Sequence, residues 1–289
     1  MTQRRQLEHR LAGMAEIGEI MHSMKNLAFM ETRKLARLLP NPQALVRQTE
    51  AVAADLLAFR PDLLPAAAPA HRVFLLLGSR RGFCGDFNER LIERWRVEQA
   101  DRQPHSSAVI AVGHKLVARL HAATAVVGLD GADVAEEVPA ALAAIVAELT
   151  AQQQRHPVLT LTVLWHRGRG PAATVRDLLP PFAAPRPSTA TPAFAPELNL
   201  PAEDFLLGLV EQYLFASLHA MLYESLLAEN ERRVRHLDGA VRHLEERSAT
   251  LQRRVRALRQ EEIIEEIEVI LLNAAGPEQR RHGGDEPPG

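Results

Sequence analysis

The chain has 289 residues, of which 46% are hydrophobic and 24% charged, and a formal net charge of −2. That apolar content is enough for a packed core and excludes a disordered chain. The near-neutral total excludes the concentrated positive field on which non-specific nucleic-acid binding depends.

Aromatic residues make up 4% while alanine, leucine and arginine dominate, so a helix-rich class is expected. Only Lys25, Lys34 and Lys115 are lysines, and such arginine and alanine use points to a GC-rich bacterial genome. The single cysteine, Cys84, permits neither an internal disulfide nor a thiol-only metal site, so cytosolic folding is expected. The N-terminus contains Glu8 and lacks a continuous apolar stretch, unlike a secretory signal. No run approaching the ~18 apolar residues of a membrane span is expected, so any membrane association would be through partners.

In chain order, residues 4–39 predict a long helix whose broad apolar face comprises Met14, Ile17, Ile20, Met21, Met24, Leu27, Ala28 and Leu35. Its methionines suit a surface that adapts to its partner, although ordinary core packing explains any one of them. Pro40 and Pro42 should end or kink that helix. Helical pattern resumes through Val46, Val52, Leu56 and Leu57, completing an N-terminal helical section over 1–60, and residues 61–70 form a Pro/Ala-rich linker. Buried strands are then expected at 73–77, 108–112, 125–127 and 158–165, alternating with helices at 88–97, 115–121 and 139–151. That alternation predicts an inserted α/β domain over 71–200, with a parallel, Rossmann-like sheet. Residues 167–201 read as a connector in which further strands could hide.

Residues 202–276 contain no proline and read as one helix, on the order of 110 Å long at ~1.5 Å per residue. Its middle carries a heptad seam, with Val234, Val241, Ser248 and Val255 at one position and Leu237, Leu244, Leu251 and Leu258 at the other. Such knobs need a facing helix, and the insertion of the α/β domain between the two ends lets the N-terminal helix supply it, antiparallel. The fold class expected is α+β. The charged stretch 229–262 is mostly the solvated side of this pair. Beyond Leu258 the heptad breaks, and Ile263, Ile264, Ile267, Ile270, Leu271 and Leu272 make a tip that one helix cannot cover. The polar segment 277–289 is expected to be disordered.

The densest motif, GSRRGFCGDFN at 78–88, occupies the strand-to-helix position of a phosphate-cradling loop. It lacks both the Gly-Lys-Ser/Thr ending and the dinucleotide fingerprint, and glycines here more often serve a tight bend. Cys84 beside Arg80 and Arg81 could be an activated thiol, but a buried structural thiol is favoured because no histidine with a supporting carboxylate stands in partnering position. The histidines show no metal-ligand spacing, and no cofactor is expected.

Four separated segments resemble the gamma subunit of F-type ATP synthases: IMHSMKNLA at 20–28, SRRGFCGDFN at 79–88, AMLYESLLAENERRV at 220–234 and RQEEIIEEIEVI at 259–270. The second is the most specific, and together they span nearly the whole chain. The resemblance implies a non-catalytic rotor shaft, its coiled coil inside a ring of alpha and beta subunits and its α/β domain near the epsilon subunit and the membrane c-ring. It implies a peripheral place on the cytoplasmic face of the bacterial inner membrane and coupling to protons or sodium. It aligns Met24 and Lys25 with a pair that meets an acidic loop of the catalytic subunit. It also aligns Arg233, Gln260 and Glu266 with polar rod positions implicated in coupling, and Ile267 and Ile270 fall in the tip the ring would enclose. This chain departs from the family at Ile264, where threonine is usual, and at 240–244, where the family's Ala-Thr-x-Asn-Ala block is replaced. The alternatives are a stand-alone coiled-coil scaffold and an enzyme using the 78–88 loop.

Overall fold

The computed structural model describes residues 2–64, 71–102, 106–120, 126–168, 170, 172–182, 194 and 197–275. Its contacts divide the chain into two compact units, residues 1–24 with 237–289 and residues 25–236. Two helices contribute to both: α1, Thr2–Leu38, and α6, Ala202–Ala275. The long run of α6 follows from the absence of proline between Pro201 and Pro277. The tail at 277–289 lies outside the described residues, as does most of the 61–70 linker.

Residues 25–236 hold a five-stranded sheet in the order β3-β2-β1-β4-β5, formed by β1 (His71–Leu77), β2 (Ser107–Val112), β3 (Val126–Leu129), β4 (Leu159–His166) and β5 (Ala173–Leu179). The first four are parallel, and β5 pairs antiparallel to β4 at one edge, within the stretch expected to be a connector. Leu179 sits opposite Leu161 and Asp177 opposite Thr162, with the register shifting between Leu161 and Thr162.

Between the strands run α3 (Phe87–Arg102), α4 (His114–Leu120) and α5 (Val138–Arg155). The two-residue period of the central strands distributes their side chains between two cores. Phe74 and Leu76 of β1, with Val109 and Ala111 of β2, pack against Leu91 and Trp95 of α3 and Leu116 and Leu120 of α4. Val73, Leu75 and Leu77 belong to the opposite core, with Leu142 and Ile145 of α5, Leu35 of α1 and Tyr213, Met221 and Leu222 of α6. Strands covered on both faces are apolar runs rather than alternating ones, which is why β1 was legible as VFLLL.

Pro40 opens α2, Pro40–Phe59, at a position where its missing N–H costs nothing. Gln43 of α2 donates to Glu224 Oε1 at 2.6 Å, and Trp165 Nε1 donates to Glu224 Oε2 at 2.8 Å. These bonds satisfy a buried carboxylate on α6.

Among the described residues, the helix span Ala202–Leu272 is long and apolar enough to cross a membrane by length and composition, its best stretch having a mean hydropathy of 1.4. This corrects the expectation that no such run exists. Much of that apolarity serves the sheet core through Tyr213, Ala216, Leu218, Met221 and Leu222.

In the other unit the N-terminal part of α1 runs antiparallel to the C-terminal part of α6. Arg4 near the start of α1 bonds Glu262, while Gly18 and His22 further along approach Leu244 and Glu245, which lie earlier on α6, so the two helices run in opposite senses. On α6 the heptad positions Leu237, Val241, Leu244, Ser248, Leu251, Val255 and Leu258 are buried or half-buried among mostly exposed neighbours. On α1 the inward positions are Arg4, Leu7, Leu11, Met14, Gly18 and Met21, spaced by alternating threes and fours.

This corrects the broad face expected for α1, since Ile17 and Ile20 are 51% and 61% exposed. In the other unit Leu27, at 67% exposed, likewise lies outside the buried set of Ala28 and Leu35. A two-helix seam is narrow, and it accepts a glycine and a charged residue where a broader core would not.

Candidate functional site

Two features stand out: the end of α6 and the loop between β1 and α3. At the end, Glu262 is half-buried against Arg4, and every described residue of α6 from Ile263 to Leu272 is exposed. The facing helix α1 begins at Thr2, so there is no further described partner helix to cover them. Ile267 is 50% and Ile270 65% exposed, with Ile263, Ile264, Val269, Leu271 and Leu272 beside them. Apolar side chains around much of a helix circumference, interleaved with Glu265, Glu266 and Glu268, form a surface suited to an enclosing partner. Gln260 and Glu266 are exposed here as well.

Of the other residues singled out from the sequence, Met24 and Lys25 are both half-buried on α1. Arg233 is different. It lies on α6 within residues 25–236, is 5% exposed and has each of its three guanidinium nitrogens bonded inside the chain. Nε donates to Gly82 O at 3.1 Å, Nη1 to Asn230 Oδ1 at 2.8 Å, and Nη2 to the Glu229 carboxylate. The structure therefore groups Arg233 with the glycine-rich loop rather than with Gln260, Glu266, Ile267 and Ile270.

The loop is filled by its own side chains. Asn88, the first turn of α3, accepts from the Ser79 N–H through Oδ1 at 3.0 Å and donates through Nδ2 to Ser79 Oγ at 2.8 Å. A Cβ on Gly78 would fall 2.5 Å from Leu116 Cβ, and one on Gly113, at φ +109°, would fall 2.7 Å from Ser79 O. These glycines permit close packing of two strand ends, with no phosphate needed to explain them.

Arg80 bonds Glu137 at 2.9 Å and Arg81 bonds Asp133 at 2.9 Å, both carboxylates in the segment after β3. Cys84 donates to Ser79 Oγ at 3.4 Å, and burial pushes its thiol above the ordinary range. It has the character of a structural thiol.

Sequence reasoning missed three neighbours. Glu229 is 2% exposed, and burial pushes its carboxyl up to about 7 despite the adjacent Arg233. His166 is fully buried on β4, where Nε2 meets Phe87 O at 2.8 Å and Nδ1 meets Arg232 Nη2 at 3.1 Å. Desolvation lowers its pKa to about 4, so it is a neutral ring accepting from Arg232. Asp133 completes the group by holding Arg81 beside Glu229. The i,i+4 spacing of Glu229 and Arg233 was the one available signal, and it reads equally well as a solvated pair.

A cavity of about 180 Å³ elsewhere in the same unit is lined by Gln43, Glu50, Trp165, Arg176, Ser217 and Glu224, among others. Its two carboxylates are already held, Glu50 by Arg176 and Glu224 by Trp165 and Gln43.

The family model described as ATP synthase matches residues 3–275, nearly the whole chain. The chain belongs to the ATP synthase gamma-subunit family. A curated relative, the ATP synthase gamma chain of Desulfitobacterium hafniense, is 29% identical over 119 residues. That alignment spans 40% of this chain and 42% of the relative's length.

Among solved structures, one from a cryo-EM structure of the Euglena gracilis mitochondrial ATP synthase OSCP/F1/c-ring aligns with a TM-score of 0.62 at 14% identity. It covers 100% of this chain and 99% of that one. One from the central stalk/c-ring of the Tetrahymena thermophila mitochondrial ATP synthase aligns with a TM-score of 0.54 at 17% identity, covering 76% and 99%. At these identities the likeness shows a shared fold.

Proposed function

We propose that this chain is the rotor shaft of a bacterial F-type ATP synthase, transmitting rotation between an ion-driven membrane ring and the ATP-forming sites. The helical sections 1–60 and 202–276 serve as the shaft, and the 71–200 domain meets epsilon and the c-ring. Alpha and beta subunits enclose the tip. The complex lies at the cytoplasmic face of the inner membrane and is driven by protons or sodium.

The observation that carries this reading is the exposed apolar end of α6 beyond its last facing pair. Its isoleucines and leucines are about half exposed or more, so enclosing each adds on the order of 1 kcal/mol. A stationary ring that contacts one side of this tip better than another has its sites biased by rotor angle, and only such differential contact shifts an equilibrium. Met24, Lys25, Gln260, Glu266, Ile267 and Ile270 are the proposed contacts. Arg233 joins them through the loop it holds.

The test is coexpression with ATP synthase alpha and beta subunits. The expected result is a stable complex that hydrolyses ATP, and ring subunits that assemble without this chain would overturn the reading.

A further inference from the structure

We propose that Glu229 and Arg233 are positioning residues that clasp the 79–86 loop onto α6, and that a single proton on Glu229 sets the strength of the clasp. The two halves of the clasp come from distant parts of the chain. Arg233 Nε reaches Gly82 O across a sequence separation of 151 residues, and its other nitrogens are held by Asn230 and Glu229 on the preceding turn. A second strap lies one turn earlier, where Ser225 Oγ donates to Leu77 O at 3.0 Å as β1 runs into the loop.

Arg81, held by Asp133, and Cys84, held by Ser79, close the loop side. Buried guanidinium bonds of this kind fix geometry as well as contribute energy, since each donor has one acceptor in one direction. Under the rotor reading, on which its functional meaning rests, this clasp lets the α/β body turn with the helix.

The proton control follows from where Glu229 sits. The charged groups acting on it are Arg233 on its own helix, Asp133 from the segment after β3, and Arg81 and Cys84 from the loop. Arg233 and Arg81 favour its ionised form, while Asp133 and the loss of water oppose it, and the loss of water is largest.

With the clasp closed, the carboxyl keeps its proton up to about pH 7, whereas an opened, solvated Glu229 releases it near the ordinary 4.5. The contribution of this group is therefore fully present below the ordinary carboxylate pKa and is lost as pH climbs to about 7, above which it levels off. A protonated Glu229 still offers its carbonyl oxygen to Arg233, so the geometry survives while the cost of burying the carboxylate's own charge disappears.

The experiment is amide hydrogen exchange on the isolated full-length chain from pH 5 to 8, corrected for the intrinsic rate. It reads the Ser79 amide, which is bonded to Asn88, and the peptides covering residues 78–88. In the unaltered chain opening should rise by roughly tenfold or more over that range and then level off.

Glu229→Gln, which keeps the shape, should abolish the rise, and Asp133→Asn should move it to lower pH. Arg233→Lys, which cannot make three bonds in one plane, should raise opening at every pH. Identical profiles for the unaltered chain and Glu229→Gln would overturn the proton control, and unaltered protection in Arg233→Lys would overturn the clasp. Because the measurement needs no ring subunits, either failure is separate from a failure of the rotor reading.

Discussion

Arg4 Nε donates a 2.8 Å hydrogen bond to Glu262 Oε2, and Glu262 stands seven residues after Val255, at the same position of the next heptad. The seam therefore continues one step past its last apolar knob, as an ion pair, before α6 becomes exposed on all sides. A polar pair at a core position of a coiled coil fixes register, because sliding either helix breaks the bond between Arg4 and Glu262.

Exchanging the charges tests that role. Arg4→Glu alone should lower the melting temperature of the helix pair and loosen the N-terminal turns, and adding Glu262→Arg should restore both. The effect should shrink at high salt, since the pair is partly exposed. Thermal circular dichroism with hydrogen exchange at residues 3–11 reads it, and no rescue by the double variant would contradict the register role.

Gly18 offers a second check on the helix pairing. A Cβ there would lie 3.2 Å from Leu244 Cδ2, the mobile end of a side chain. Gly18→Ala should therefore be neutral or stabilising by up to about 1 kcal/mol, from helix propensity. Gly18→Leu should destabilise the pair, because no shift of one methyl makes room for an isobutyl group. Chemical denaturation of both variants decides it, and equal stability would mean that the helices are not closely packed at this layer.

Glu229 and His166 predict opposite pH dependences within one unit. His166, lowered to about 4 by desolvation, contributes stability that is full above its unfolded pKa near 6.5 and lost as pH falls toward 4. Glu229, raised to about 7, contributes stability that grows as pH falls from about 7 toward 4.5. Each is worth roughly 3 kcal/mol at full extent, so the two nearly cancel in the unaltered chain. Urea unfolding at pH 7.5 and 4.5 should show His166→Gln gaining stability in acid and Glu229→Gln losing it. Parallel slopes in the two variants would contradict the assigned environments.

The end of α6 should separate folding from assembly. Leu75→Ala, in the centre of the sheet, should cost about 2–5 kcal/mol of stability. Ile267→Ser or Ile270→Ser should leave the melting temperature of the isolated chain nearly unchanged and weaken its retention by alpha and beta subunits. Equal losses in both measurements would mean that the tip is part of the chain's own core.

The parts of this architecture that were legible in the sequence are those built from uniform environments. The central strands β1, β2 and β4 are covered on both faces, so their burial shows as continuous apolar runs. The edge strand β5, reading ATVRDLL, carries Arg176 and Asp177 in its middle and passed for a connector.

On α6 the heptad was readable because leucine and valine fill it. On α1 the same seam runs through Arg4 and Gly18 while Ile17 and Ile20 face outward, so hydrophobicity alone found Met14 and Met21 but drew the stripe too broad. Arg233 was singled out as a rod position, yet its surroundings depend on Gly82 being brought to it by the sheet, a contact no local pattern encodes.

The most direct measurement is rotation itself. Val158 is exposed on the α/β body and Cys84 is buried, so Val158→Cys gives one reactive thiol for a visible probe. With the chain assembled into surface-fixed alpha and beta subunits, ATP should drive stepwise turning of the probe in one direction. Hydrolysis by the assembled complex with a stationary or randomly fluctuating probe would contradict the assignment of this chain as the shaft.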